Sequence, residues 1–424
     1  MNLSERDSKV LWHPYTQHQT NGKSIAIVKA EGAYLFDEDG KRYIDAGASW
    51  WTNIHGHSHP YIAEKVSAQL KKLEHVIFAG FTHEPAVELA ERLLKLLPKD
   101  QSRVFYSDDG STAVEVGLKM AFQYWHNKGE QRTKVIAFKN AYHGDTFGAM
   151  SVSGRSAFTN AFEKLLFDVI FIDAPVPGME ESSLAQLKTI ISDLRSPISA
   201  FIFEPLIQGT AGMITHDAIT LEQMITICQE NGILTIADEV MTGFGRTGKM
   251  FATDHLSVKP DIFCLSKGIT GGTMALGVTT CPEKIYEVFL SDDKMKTFFH
   301  GHSYTANPVA CSAANASLDL FDKENTMQNV ERISKRHQEF QHSIIPLFQH
   351  ISVRVIGTIL AIEIRVSEGS SYFSSVRDKA YNFFLEKGIL IRPLGNVIYL
   401  MPPYCISDND LDYIYEEITA FLKK

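Results

Sequence analysis

The chain is predicted to adopt an α/β fold, a mostly parallel sheet wrapped by helices, and two features of the sequence lead there. Seven short apolar runs rich in β-branched and aromatic residues recur along its middle: Arg103–Tyr106, Lys134–Phe138, Val169–Ile172, Ala200–Phe203, Ile233–Ala237, Ile262–Leu265 and Leu276–Thr280. Helical stretches separate most of them, as parallel neighbours require, because such strands need long crossovers. With 424 residues, 44% of them apolar, the chain is long enough to bury a sizeable core around such a sheet.

The elements follow in order. The first residues offer hairpin-like pieces (Ile25–Lys29, Ala33–Phe36, Tyr43–Asp45), the last two split by Asp37-Glu-Asp-Gly40. They are too short to form a core alone and are expected to pack on the C-terminal part. After the first sheet strand, Ser111–Asn127 carries apolar residues at helical spacing, and Leu221–Asn231 does the same before Gly232, placed for a left-handed cap. The last hundred residues read as a smaller α+β unit. It comprises strand-like Val353–Ile364, helical Ser375–Lys387, then Ile389–Ile391 and Val397–Met401, and a closing helix Asp408–Leu422. The expected division is an N-terminal segment 1–48 belonging to a small domain, a large domain 49–322, and the rest of the small domain 323–424. There are no internal repeats.

Composition narrows the function. Lys and Arg number 41 against 50 Asp and Glu, a net charge of -9, and no basic run exceeds a pair. A nucleic-acid partner, which needs a positive patch, is not expected. The opening MNLSERDSKV has no apolar stretch of signal-peptide length, and no run approaches the ~18 residues that span a bilayer. The five cysteines (Cys228, Cys264, Cys281, Cys311, Cys405) are scattered without a C-x-x-C pair. Neither a disulfide framework nor a thiolate metal site is indicated, and a cytoplasmic, reduced setting is expected.

In a parallel sheet, functional residues gather beyond the carboxyl ends of the strands. Asp238 stands there after Ile233–Ala237, and Lys267 after Ile262-Phe-Cys-Leu-Ser266. A lysine leaving a buried strand can have its pKa lowered and serve as a nucleophile toward a carbonyl, and an aspartate can stay ionised opposite a cation such as a pyridinium nitrogen. Taken singly, Asp238 reads as a helix N-cap and Lys267 as an exposed amine. Gly110-Ser-Thr112 opens a helix and offers N–H groups, hydroxyls and the positive end of the dipole to an anion, although Ser and Thr also simply cap helices. Tyr142, in Asn140-Ala-Tyr-His-Gly-Asp-Thr146, is placed to stack on a flat ring; Ser303, in the loop Phe299–Pro308, is a second phosphate ligand in prospect. Both loops also read as surface turns. His55, His57 and His59 alternate, but Gly56, Ser58 and Pro60 argue for a turn, and no metal is expected.

Three strings in order, Ile236-Ala-Asp-Glu-Val-Met-Thr-Gly-Phe-Gly-Arg-Thr-Gly248, Cys264-Leu-Ser-Lys-Gly268 and Glu204-Pro205, resemble the class III aminotransferases over essentially the whole chain. These are pyridoxal-phosphate enzymes of fold type I. Leu11-Trp-His-Pro-Tyr-Thr16, Ser49-Trp-Trp51, Tyr142–Ser151 and Arg392–Pro403 resemble the branch that aminates 8-amino-7-oxononanoate in biotin synthesis. S-adenosylmethionine is its usual donor, and some relatives use lysine. The resemblance implies that Lys267 carries pyridoxal phosphate covalently and is catalytic, that Asp238 pairs with the ring nitrogen, and that Tyr142 stacks on the ring. Gly110 and Ser111 would hold the phosphate, with His302 and Ser303 reaching in from a second subunit of a homodimer. Tyr15, Trp50, Trp51, Tyr142, Gly301, Arg392 and Tyr399 would contact substrate, Arg392 through its carboxylate. His302-Ser303 stands where close relatives often have Pro-Thr, which leaves the donor open. The rival activities are an ω-amino acid or diamine:ketone aminotransferase, a regulatory protein on the same scaffold, and a metal-dependent hydrolase using the three histidines.

Overall fold

A computed structural model describes residues 1–193, 197–366 and 374–424. Its central sheet has seven strands: β1 (Gln101–Ser107), β2 (Lys134–Phe138), β3 (Val169–Ile172), β4 (Ile198–Phe203), β5 (Leu234–Asp238), β6 (Ile262–Leu265) and β7 (Gly277–Pro282). Across the sheet they run β1-β7-β6-β5-β4-β2-β3. All are parallel except β7, which is antiparallel to both neighbours. The seven predicted runs are these seven strands. β4, β5 and β6 are buried at every residue, since helices cover both faces of the sheet. That double burial is why they read as unbroken apolar runs with no alternation.

Helix α1 (Gly110–Asn127) begins at a capping box in which the Asp109 side chain accepts the Thr112 N–H and the Thr112 hydroxyl accepts the Asp109 N–H. It buries Ala113, Val116, Gly117, Met120 and Ala121. Gly232 takes φ 67° just beyond the helix Ala218–Glu230, the left-handed stop its position suggested.

The two ends of the chain meet. Strands Ile27–Glu31, Tyr34–Asp37 and Arg42–Asp45 form a meander, and Ile389–Leu390 adds to it in parallel through Ile389 opposite Ile44. A second small sheet joins Ile351–Ile356, Ile359–Ile364 and Val397–Leu400. The run Val353–Ile364, expected as one strand, is therefore a hairpin. It turns at Gly357-Thr358, where Gly357 adopts φ 54° and permits a tight reversal that periodicity does not reveal.

Gly357 also fixes how this hairpin meets the backbone of residues 246–248. A Cβ on it would lie 2.3 Å from the Gly248 nitrogen and 2.4 Å from the Arg246 carbonyl oxygen, and backbone cannot yield as a side chain can. Gly357→Ala is expected to lower stability by about 2 kcal/mol or more, since it combines an unfavourable φ with a backbone clash. Urea unfolding of the two proteins side by side measures this.

Candidate active site

Strand register sets the site. Asp238 ends β5 directly opposite Cys264 of β6, so the chain leaving β6 delivers Lys267 beside Asp238 at the carboxyl edge of the sheet. Lys267 opens a short 3₁₀ turn with φ 47°, and Ser266 before it is anchored by donating its hydroxyl to the Leu276 carbonyl at 2.7 Å. Both residues face a cavity of about 560 Å³.

Asp238 is buried, and each of its carboxylate oxygens accepts one hydrogen bond. One carboxylate oxygen accepts the Val240 N–H at 3.1 Å; the other accepts from Nδ1 of His143 at 2.7 Å. His143 is itself buried and held at its N–H by the Ser153 hydroxyl at 2.8 Å, while its Nε2 has no hydrogen-bond partner among the described residues. Lys267 carries its amine 5.1 Å from the centre of the Trp51 ring. Burial pushes its pKa below the ordinary lysine value and the Arg246 charge adds to this, while Asp238 and Glu204 oppose it. More of the neutral amine is thereby present than on a solvated lysine. Glu204, just past β4, accepts the N–H groups of Tyr142 and Gly209 at 3.1 and 3.0 Å. Its pKa is pushed up to about 7, chiefly by burial.

The walls are aromatic. The hydroxyls of Tyr142 and Tyr15 lie 3.1 Å apart, Tyr15 also donates to the Asp145 carboxylate, and the Tyr15 ring stands edge-on to Trp50 and Phe158. Burial and the Tyr15 bond raise the Tyr142 pKa well above the usual phenol value. Trp50 and Trp51 project from the turn 48–51, where Ala48, Ser49 and Trp51 all have positive φ. At the opposite end, α1 points its first turn into the cavity; the N–H groups of Gly110 and Ser111, by position, have no acceptor within the helix. Gly144 (φ 134°) makes room there: a Cβ would sit 2.2 Å from the Ser111 Oγ.

Tyr15, Trp50, Trp51, Gly110, Ser111, Tyr142, Asp238 and Lys267 thus line one cavity. The other candidates stand outside it. Arg392 is exposed, with its guanidinium 5.2 Å over the Trp50 ring. Tyr399 is buried one layer behind, accepting the Trp51 indole N–H at 2.9 Å. In the loop carrying Gly301, His302 and Ser303, His302 Nε2 approaches Asp108 at 3.9 Å and Ser303 is exposed. Sequence pattern assigns no role to His143, Glu204 or Phe158, which the structure adds to the wall. His143 lay inside the quoted Tyr142 string and Glu204 follows a predicted strand, so strand-end position pointed to Glu204; Phe158 sits in an irregular loop without a signal. His55, His57 and His59 disperse to Ser317, Asp45 and Glu324 at 3.0, 2.8 and 3.0 Å. Among the described residues no group of three or more His, Cys, Asp or Glu is placed to hold a metal ion.

Residues 15–422 match the family model for class-III aminotransferases. The chain belongs to this family. It is 45% identical to adenosylmethionine-8-amino-7-oxononanoate aminotransferase of Synechococcus elongatus, over 97% of this chain and 98% of that protein. With the protein of the same name from Geobacter sulfurreducens it shares 40% identity, covering 98% and 96% of the two. The crystal structure of the Methanocaldococcus jannaschii protein of that name superposes with a TM-score of 0.94 at 38% identity, over 99% of this chain and 98% of that one. A PLP-bound amine transaminase from an uncultivated Pseudomonas species gives 0.92 at 30% identity, covering 98% of each. The architecture is accordingly fold type I, as the resemblance implied. No helix among the described residues is long and apolar enough to cross a membrane.

Glu204 yields a pH prediction. A carboxyl whose pKa is raised to about 7 on folding holds a proton that the unfolded chain, at ~4.3, has released. Its contribution is complete below the unfolded value and is lost as pH rises through about 7. Urea unfolding of the cofactor-free protein should show stability falling between about pH 5 and 7, by something on the order of 2 kcal/mol. Glu204→Gln, which cannot titrate, should lack that part of the slope.

Proposed function

We propose that this protein transfers an amino group from S-adenosylmethionine to 8-amino-7-oxononanoate, giving 7,8-diaminononanoate in biotin synthesis, with pyridoxal phosphate as cofactor and as a cytoplasmic homodimer. The observation that carries the reading is the convergence of Lys267, Asp238 and the first turn of α1 on a cavity walled by Tyr15, Trp50 and Trp51. It does so in a class-III aminotransferase whose relatives are named for this reaction.

The cavity suits the cofactor at each of its functional groups. A buried carboxylate complements a protonated ring nitrogen, an amine of lowered pKa complements an aldehyde, and two helix N–H groups with no acceptor within the helix complement a phosphate. When bound, the cofactor supplies an electron sink for the charge left on the substrate carbon. The chain does the rest. Asp238, steadied by His143, would face the ring nitrogen. Tyr142 would stack on the ring, and Gly110 and Ser111 would hold the phosphate. Lys267 would hold the cofactor through its amine and, as a free amine, would carry the proton taken from the substrate Cα, work that favours an amine poised to be neutral. Tyr15, Trp50 and Trp51 wall the aliphatic chain, with Tyr399 steadying Trp51 from behind. Arg392 takes the carboxylate. Gly301, His302 and Ser303 of one copy complete the phosphate and substrate sites of the other.

Purified protein should show a visible absorbance band from lysine-bound cofactor and should aminate 8-amino-7-oxononanoate. Lys267→Ala should lose the band and reduce turnover at least ~10³-fold, as loss of a covalent and proton-transferring group does. Deamination of a simple ω-amine without amination of this ketone would transfer the assignment to the ω-aminotransferases.

A further inference from the structure

Beside the main cavity lies a second chamber of about 360 Å³, sharing Tyr142, Phe158 and Thr210 with it and reaching on to Asn140, Arg155 and Ala211. Its size falls within the range of small-molecule sites, about 300–1,000 Å³. Resting on the reading above, we propose that this side chamber holds the nucleoside of the amino donor, while the acceptor never enters it.

The shapes of the two substrates make the argument. A ping-pong enzyme admits both through one reacting point, yet they differ in form. The acceptor is an unbranched chain ending in a carboxylate, which the main cavity leads past Trp50 toward Arg392. The donor branches at its sulfonium sulfur into an adenosine, a branch the acceptor lacks. The space divides at the right place, where Tyr142 and Phe158 stand edge-on with ring centres 6.4 Å apart.

The chemistry of the walls suits that branch. Phe158, also 5.6 Å from Tyr15, offers an adenine a ring to pack on, and the Tyr15–Tyr142–Phe158 cluster favours a desolvated sulfonium cation. At the chamber's rim the Asp145 carboxylate, which accepts from Tyr15, supplies acceptor oxygens for ribose hydroxyls and negative charge for the sulfonium. The floor is fixed: Arg155 Nη1 donates to the carbonyls of Ser151 and Ser153 at 3.1 and 3.0 Å. The unbranched acceptor has no nucleoside to set against Phe158 or the Asp145 carboxylate.

The test uses holoenzyme, with 5′-methylthioadenosine as a probe because it carries the nucleoside but no amine. Ala211→Phe fills the chamber from a residue outside the main cavity. It should raise KM for S-adenosylmethionine in the donor half-reaction about tenfold or more and weaken calorimetric binding of methylthioadenosine to match. The reverse half-reaction with 7,8-diaminononanoate and the visible band should stay within about twofold. Phe158→Ala should weaken methylthioadenosine binding in the same direction. If the filled variant retains both donor KM and probe binding, or if both half-reactions fall together, the chamber assignment is overturned. Turnover of 7,8-diaminononanoate by the wild type with no methylthioadenosine binding overturns the chamber alone. A wild type that reacts with neither the diamine nor S-adenosylmethionine, or that takes lysine in place of the latter, overturns the donor reading together with it.

Discussion

The pairing of Asp238 with Cys264 across two parallel strands is the constraint from which the site follows. Parallel register sends both chains out of the sheet at the same edge, so the acid and the amine three residues beyond Cys264 emerge side by side. A slip of one residue in either strand would turn one of these groups into the core. The register is defended by burial: Ile236, Ala237, Ile262, Phe263 and Cys264 are all fully enclosed, and reversing their faces would expose none of them to a matching surface. At about 25 cal/mol per Å² of apolar area, several buried side chains outweigh any single polar contact in the site.

Charge in the cavity is balanced by geometry. Lys267 and the buried Arg246 are cations close enough to influence each other; Asp238 and Glu204 supply the opposing charge. Among the described residues, Arg246 has no carboxylate in hydrogen-bond contact. It spends its guanidinium on the carbonyls of Trp51 at 3.2 Å and Pro402 at 2.9 Å. Because carbonyls solvate its charge without neutralising it, Arg246 still depresses the lysine pKa. Glu204 responds in the other direction, its carboxyl raised by burial and by Asp238. The cluster therefore reaches low net charge by shifting proton affinities as well as by pairing ions, which is the less costly route when groups are removed from water.

Much of this was legible in the chain. The seven sheet strands were visible because double burial leaves unbroken apolar runs, and strand-end position marked Asp238 and Lys267 as candidates. Other features were not, for definite reasons. The turn within Val353–Ile364 depends on the φ of one glycine, which leaves no trace in hydrophobic spacing. His143 was adjacent to a residue singled out, yet its function depends on meeting Asp238, 95 residues away, and only folding brings them together. Tyr399 and Arg392 were marked by likeness to a family, which identifies residues near a site but not which of them form its surface. The structure separates them into a support behind Trp51 and an exposed cation on Trp50.

The tryptophan turn shows how a wall of that kind is held. Positive φ at Ala48, Ser49 and Trp51 is a conformation that costs on the order of 1–3 kcal/mol per non-glycine residue, so the turn would not persist by itself. Its supports come from both parts of the chain. Asp45 accepts the Ser49 N–H and hydroxyl at 2.9 and 2.8 Å and the His57 ring at 2.8 Å, Arg246 binds the Trp51 carbonyl, and Tyr399 accepts the indole N–H. Bonds to charged groups contribute about 1.5–3 kcal/mol each, so together they are of the size needed to offset the strain. The consequence is a rigid aromatic wall: Trp51 sits behind the lysine amine while Trp50 remains open to solvent and to Arg392. A cavity that must accept two unlike molecules in turn gains from such rigidity, because selectivity then resides in which branch of a fixed space each substrate fills and not in a wall remade for each.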